Sequence, residues 1–183
     1  MGIDAFASTV DEESGVDRII DDVDIGSTST EEMRGFFMGL IVGEGSFSIP
    51  ITAKSDCNHG VQAKPKFCIN MHKENEHVLK YLRDSTELGR LSKTERFTEW
   101  TINDLDSCIE LSRWIDSEFG GTIFDETAKA HSFQKWVKCL DILNSASGQS
   151  AETIKQIAEI RDDMNMDSRG RTKDEIVEHF NLD

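Results

Sequence analysis

The chain has 183 residues, of which 37% are hydrophobic, and a formal net charge of −15 at pH 7. Its length is close to that of one domain with terminal extensions. No apolar run approaches the roughly 18 residues that a membrane-spanning helix needs, and the N-terminus lacks the basic start and apolar core of a signal peptide. We therefore expect a cytoplasmic protein without a membrane partner. The four cysteines are widely spaced, which argues against a disulfide framework or a zinc ribbon.

The excess of acidic residues at first argues against a nucleic-acid partner, because affinity for DNA comes mainly from Lys and Arg side chains that neutralise phosphates. Net charge, however, governs solubility and non-specific binding rather than fold, and strong acidity is used by halophilic proteins. Much of the acid lies in residues 1–29, where Arg18 is the single basic residue. We predict that residues 1–29 form an acidic, disordered extension; the alternative is a short amphipathic helix that packs on the body.

A strongly apolar helix is predicted to follow this extension. Ser29 and Glu32 match a capping box, so the helix should begin near Thr30 and end at the Gly-rich segment 43–45. Its apolar residues leave no polar face, unlike those of an amphipathic surface helix, and we expect every side to be covered by protein. Gly39 and Gly43 lie four residues apart, a spacing that lets a second backbone approach closely, most simply that of a second copy of the helix.

Glu44 ends this helix, where the helix dipole disfavours a carboxylate unless a cation neutralises it. A metal ion is the simplest candidate. The stretch from Phe37 to Phe47, Phe-Met-Gly-Leu-Ile-Val-Gly-Glu-Gly-Ser-Phe, resembles the signature of the LAGLIDADG homing endonucleases. Val42 stands where the family has an earlier acid that is not a metal ligand. From the residues alone, the alternative is a buried core helix that ends in a Gly-rich turn.

The resemblance implies that the motif helices of two copies pack together and that the last acid of the motif binds a divalent metal. It assigns Glu44 to catalysis and Glu44 and Gly43 to the metal site. It assigns to the dimer interface the residues Phe36, Gly39, Leu40 and Gly43. Only one copy of the motif is present, and members with one motif are homodimers.

The remaining segments predict an α+β domain of the order αββαββα. Residues 46–54 and 64–72 alternate between apolar and polar, as half-buried strands do, and Pro50 should leave the first strand bulged or free along one side. A helix over 75–85, a hairpin over 89–102 and two helices up to residue 143 follow. We predict a four-stranded antiparallel sheet with helices on one face, in a domain over 30–165 that matches the LAGLIDADG fold. Residues 166–183 form a tail with a possible short helix at 172–180.

By resemblance, the open sheet faces of two protomers form a saddle on double-stranded DNA, and a sheet of this kind fits the major groove. Basic residues on or near the strands are predicted to contact phosphates: Lys54, Lys64, Lys66, Arg90 and Lys93. Small polar residues on the same strands are predicted to read base edges: Ser48, Thr52, Asn70 and Ser92. For each of them the alternative is an ordinary solvated residue of the outer face.

The chemistry that the resemblance implies is phosphodiester hydrolysis, in which a divalent ion polarises the scissile phosphate. Mg²⁺, or Mn²⁺, suits a site made of one or two carboxylates and phosphate oxygens, and Glu44 from each protomer would supply the carboxylates. His72 aligns with a family residue that positions water, and Lys129 with a lysine near the start of the last main helix. For both, the alternative is an ordinary surface residue.

Two functions from different classes are compatible with this reading. The first is a site-specific DNA endonuclease encoded in an intron or another mobile element. The second is a relative that has lost cleavage and acts as an RNA-splicing maturase or a DNA-binding regulator. The retained acid at Glu44 favours the endonuclease.

Overall fold

A computed structural model of the chain describes residues 30–57, 59–146, 148–164 and 171–182. The predicted acidic extension 1–29 and the N-cap Ser29 lie outside the described residues, so both stay predictions. The chain divides into the units Met1–Met33 and Arg34–Asp183, and the contacts discussed below lie within the second unit. The domain boundary predicted at residue 165 also stays a prediction.

In chain order, the described helices are α1 (Thr30–Glu44), α2 (Glu76–Thr86), α3 (Leu105–Phe119), α4 (Ala128–Ser145), α5 (Ala151–Met164) and α6 (Lys173–Phe180). The described strands are β1 (Gly45–Ser48), β2 (Ile51–Ala53), β3 (Val61–Ala63), β4 (Lys66–His72), β5 (Arg90–Lys93) and β6 (Phe97–Ile102). Short 3-10 turns lie at Lys73–Asn75 and Ile123–Glu126. Within the described parts of the chain, no helix has the length and apolar character that crossing a bilayer requires.

The main sheet has four antiparallel strands, as predicted, and their order is β1-β4-β6-β5. The expectation of one continuous strand over 46–54 was wrong. The strand breaks at Ile49 and Pro50, and β2 leaves the main sheet to pair with β3, with Ile51 opposite Ala63. Pro65 separates β3 from β4 in the same way. Because proline has no N–H to donate to a ladder, the two prolines bracket a separate hairpin.

The core lies between one face of the main sheet and the helices. Phe47, Phe67 and Trp100 are buried on this face, and the ring centroid of Phe47 lies 5.2 Å from that of Trp136 on α4. Fully burying an apolar side chain of this size contributes about 1.5–3 kcal/mol. Leu79 of α2 is buried against the same layer. The helices therefore occupy one side of the sheet and leave the other side available to a ligand.

The hairpin β2–β3 is attached to the helical layer by Gln149, in the connection between α4 and α5. The side-chain amide of Gln149 accepts a hydrogen bond from Ala63 N at 2.7 Å and donates one to Ala63 O at 2.9 Å. A neighbouring strand would make the same pair of bonds. In the tail, Thr172 and Glu175 form the predicted capping box at the start of α6, and Ile176 is buried.

Candidate metal centre and nucleic-acid interface

The candidate metal centre lies at the junction of α1 and β1. Glu44 is the last residue of α1, and β1 begins at Gly45 without an intervening loop. A Cβ atom at Gly45 would clash with the carbonyl oxygen of Ile41, so glycine is required at this close approach. In the single chain the Glu44 side chain is exposed, although it directly follows a strongly apolar helix.

The described residues of the chain leave one side of α1 uncovered. Phe37 and Ile41 are buried on the inner side, whereas a Cβ atom placed at Gly39 or Gly43 would meet nothing within 4 Å. Phe36 is 48% exposed. Every side of the helix was expected to be covered by protein, most simply by a second copy on the glycine side, and the described residues of this chain cover the other side. The predicted interface residues Phe36, Gly39 and Gly43 lie on the uncovered side, and Leu40 is half-buried beside them.

Lys129 reaches this junction from the start of α4. Its Nζ donates a hydrogen bond to the carbonyl oxygen of Gly45, the residue after Glu44. His72 lies at the end of β4, and the pairing of Gly45 with Ile69 brings the end of α1 and the end of β4 to the same end of the sheet. The Nδ1 atom of His72 lies 3.3 Å from an oxygen of Glu74.

The face of the main sheet opposite the helices carries most of the predicted DNA contacts. We call this the open face and define it by three rows of paired residues that the strand register fixes. The first row pairs Ser48 with Lys66. The second row runs across the sheet through Ser46, Cys68, Thr101 and Arg90, and the third row runs through Asn70, Glu99 and Ser92. The predicted residues Ser48, Lys66, Asn70, Arg90 and Ser92 therefore share one face, and they are exposed or half-buried.

Three further predicted contacts lie on or beside the β2–β3 hairpin. Thr52, Lys54 and Lys64 are exposed, and Lys54 Nζ lies 3.9 Å from Asp56.

A family model described as LAGLIDADG endonuclease matches residues 37–140, which is more than half of the chain. The chain belongs to the LAGLIDADG endonuclease family. The matched segment includes Glu44, Lys129 and all four strands of the main sheet. No curated protein sequence matches the chain.

Solved structures of LAGLIDADG proteins share the fold. The homing endonuclease I-TnaI is 22% identical, with a TM-score of 0.69, and the match covers 80% of this chain and 97% of that one. The archaeal intron-encoded homing endonuclease I-Vdi141I, solved in complex with DNA, is 18% identical, with a TM-score of 0.69 and coverage of 85% and 100%. The LAGLIDADG meganuclease I-CpaMI, bound to uncleaved DNA, is 22% identical, with a TM-score of 0.68 and coverage of 81% and 48%. This chain thus spans about half of I-CpaMI.

The donor set at the end of α1 fits part of a divalent-metal site. Glu44 offers an exposed carboxylate, which is a hard oxygen ligand of the kind that Mg²⁺ prefers. Among the described residues there is no group of three or more His, Cys, Asp or Glu side chains that could hold a metal ion. Because Mg²⁺ is usually held by one or two carboxylates plus phosphate oxygens, Glu44 fits as one ligand of a site that other molecules complete.

In this LAGLIDADG protein, Lys93 does not lie on the open face with the DNA contacts predicted for the main sheet. It pairs with Thr98, one position after Ser92, and so lies on the helix side of the sheet. Its Nζ lies 2.7 Å from Glu76 Oε2 on α2. The placement of Lys93 on the open face was therefore wrong, because alternation directs it to the opposite side.

Sequence reasoning missed Glu99 and Thr101 on the open face. Lys66 Nζ lies 3.3 Å from Glu99 Oε1, and Thr101 Oγ1 donates to the same oxygen at 2.5 Å. The alternation along β6, where buried Trp100 and Ile102 flank Thr101, was the signal that would have identified them. A carboxylate therefore lies among the predicted DNA contacts.

Proposed function

We propose that two copies of this chain form a site-specific, metal-dependent endonuclease that cuts both strands of double-stranded DNA. The observation that carries the proposal is the position of Glu44, an exposed carboxylate at the end of the uncovered, glycine-lined side of α1, with the Lys129 ammonium bonded to the next residue. Family membership supports the activity, since the matched segment includes both residues. We further propose that the gene lies in an intron or another mobile element.

The uncovered side of α1 supports a homodimer. Apolar residues such as Phe36 flank glycines that leave room for a second backbone, and close helix approach through such glycines is well known. The chain carries one motif and spans about half of I-CpaMI. A second copy related by a two-fold axis would bring a second Glu44 to the end of the interface. Two such carboxylates repel each other unless a cation lies between them.

The proposed cofactor is Mg²⁺ or Mn²⁺, held by Glu44 and the backbone at Gly43. When bound, the ion polarises the scissile phosphate and lowers the pKa of a coordinated water. Lys129 supplies a positive charge beside this site, and it can stabilise the negative charge that develops on the phosphate in the transition state. His72, at the same end of the sheet, can orient a water or accept its proton.

DNA recognition is assigned to the open face and the hairpin. Basic side chains such as Lys66 and Arg90 hold the backbone, and polar ones such as Asn70 and Ser92 meet base edges in the major groove. A two-fold symmetric dimer presents the same residues to each half of the target. The preferred target is therefore a pseudo-palindrome.

A cleavage selection on randomised DNA tests the proposal. Wild-type protein is incubated with the library in Mg²⁺, in Mn²⁺ and in EDTA, and cut ends are sequenced. We expect double-strand cuts within one preferred sequence, only with metal. Glu44→Gln should abolish cutting while leaving the dimer and DNA affinity intact, and Glu110→Gln, an exposed acid on α3, serves as the charge-matched control. Equal cutting in EDTA, or wild-type rates from Glu44→Gln, would contradict the metal mechanism. Binding to an intron RNA without DNA cleavage would favour the maturase alternative.

A further inference from the structure

A carboxylate occupies the middle of the open face. Glu99 lies on β6, and Lys66 lies on β4, and these are the two central strands of the sheet. Their side chains are 28% and 33% exposed. A negative charge at this place repels the phosphates of DNA, so it lowers general affinity for any duplex. A carboxylate at this place is favoured only where the DNA presents a hydrogen-bond donor that the carboxylate can accept from.

Glu99 is held in a fixed orientation. Thr101 is 5% exposed, and its hydroxyl and the ammonium of Lys66 both contact Glu99 Oε1. These contacts leave Oε2 to accept a hydrogen from outside the protein, and the Lys66 ammonium has three hydrogens and therefore further donors. A donor and an acceptor are thus presented side by side to whatever covers the open face.

Such a pair complements the major-groove edge of a C·G base pair. Cytosine offers the N4 amino group as a donor, to which Glu is the matching acceptor, and guanine offers O6 and N7 to a Lys donor. A T·A pair also places a donor beside an acceptor, but thymine adds a methyl group next to its single acceptor. That methyl group would remove water from the Lys66 ammonium without replacing its hydrogen bonds.

We propose that Glu99, held by Thr101 and paired with Lys66, is a specificity-determining residue that reads one C·G base pair in each half-site. The inference rests on the proposed function and deepens it by naming the base pair that these residues recognise. Because the dimer is symmetric, the preferred pair occurs twice, in inverted orientation about the centre of the target. A purely structural ion pair between β4 and β6 would give no base preference.

Binding selections with three proteins test this inference. Wild type, Glu99→Gln and the control Glu95→Gln, an exposed acid in the β5–β6 turn, each select from randomised duplexes in EDTA. Wild type should enrich C·G at one symmetry-related pair of positions. Glu99→Gln should lose that preference about tenfold and favour A·T there, since Gln matches adenine, with the other positions unchanged. Glu95→Gln removes the same charge and should keep the wild-type profile.

Other outcomes overturn the inference. The inference is wrong if the Glu99→Gln base preferences equal those of wild type, because Glu99 then has only a structural role. It is also wrong if the preferences change equally at all positions, because Glu99 then acts only through its general charge. If Glu99→Gln does not fold, Lys66→Met replaces it. The C·G preference should weaken in that variant because the guanine contact is lost, and an undiminished C·G preference overturns the inference. If the wild-type protein selects a defined target without any C·G preference, this inference alone is contradicted. If it selects no DNA at all, the proposed function is contradicted as well.

Discussion

Lys129 donates a hydrogen bond from Nζ to the backbone carbonyl of Gly45, and Gly45 directly follows Glu44. The bond joins the first turn of α4 to the end of α1. Because the ammonium is directed at the backbone and not at the Glu44 carboxylate, the carboxylate stays available to a metal ion. The two groups are thus neighbours, and the proposed function gives them separate roles.

Lys129→Met should slow cleavage at least about a hundredfold, a loss typical of removing one preorganised group that stabilises transition-state charge. DNA affinity and the oligomeric state should stay unchanged, because Lys129 lies beside the junction and not on the open face. Single-turnover cleavage and gel-shift titration measure the two effects. Lys138→Met, an exposed lysine on the same helix, is the control. A Lys129→Met protein that cuts at the rate of this control would assign Lys129 to an ordinary surface role.

Gly39→Leu should separate the motif helices and give monomeric or insoluble protein. A Cβ atom at this position meets nothing within 4 Å among the described residues of its own chain, so we expect the single chain still to fold and only the interface to fail. Multi-angle light scattering reports the mass. Asn144→Leu places the same side chain at an exposed position on α4, roughly 22 Å along the helix from Lys129 at 1.5 Å per residue. The idea fails if Gly39→Leu and this control are both dimeric.

The reactivity of the thiols should follow their burial. Burial raises the pKa of Cys108 and of Cys139 to about 12, and burial also raises the pKa of Cys68 on the open face. A raised pKa leaves little thiolate at pH 8, so alkylation should be slow and should accelerate as pH rises. Cys108 and Cys139 should react only after unfolding.

Cys68 should also be protected by DNA, since it lies on the open face between Ser46 and Thr101. Iodoacetamide labelling at pH 8, with and without target duplex in EDTA, followed by mass spectrometry of peptides, provides the measurement. Equal labelling of Cys68 in both samples would count against the open face as the DNA surface. Unfolded protein, in which all four cysteines react, is the reference.

Salt should stabilise this chain or leave its stability unchanged. The net charge of −15 produces self-repulsion that counterions screen. The free energy of unfolding, measured by urea titration at increasing KCl, should rise or hold constant, and specific DNA binding should persist at salt that dissociates ordinary DNA-binding proteins. A steady decline in stability from low salt would argue against the halophilic interpretation.

Local patterns predicted much of this fold from the sequence. Alternation predicted β4 and β6, and the Gly-rich segment predicted the end of α1 at Glu44. Pro50 was expected to leave one strand bulged or free along one side, whereas the pairing of Ile51 with Ala63 shows that the strand breaks and changes its partner. That choice depends on tertiary contacts, which no local pattern contains.

Two features of the candidate site were missed for different reasons. In β5, strict alternation places Lys93 on the side of Leu91 and opposite Arg90 and Ser92, but a lysine at an inner position breaks the apolar pattern and so concealed its side. The exposure of Glu44 depends on which molecule covers α1. An apolar helix sequence indicates that a partner surface is required, but it does not say whether that surface belongs to the same chain.

The two hydrogen bonds between Gln149 and Ala63 close the outer edge of the β2–β3 hairpin with a single side chain. This hairpin, which carries Thr52, is hydrogen-bonded as a separate two-stranded sheet. We therefore expect substitutions within the hairpin to leave the register of the main sheet unchanged. In the proposed complex with DNA, the hairpin and the open face can then vary independently, so that one part of the recognised sequence changes while the rest is kept.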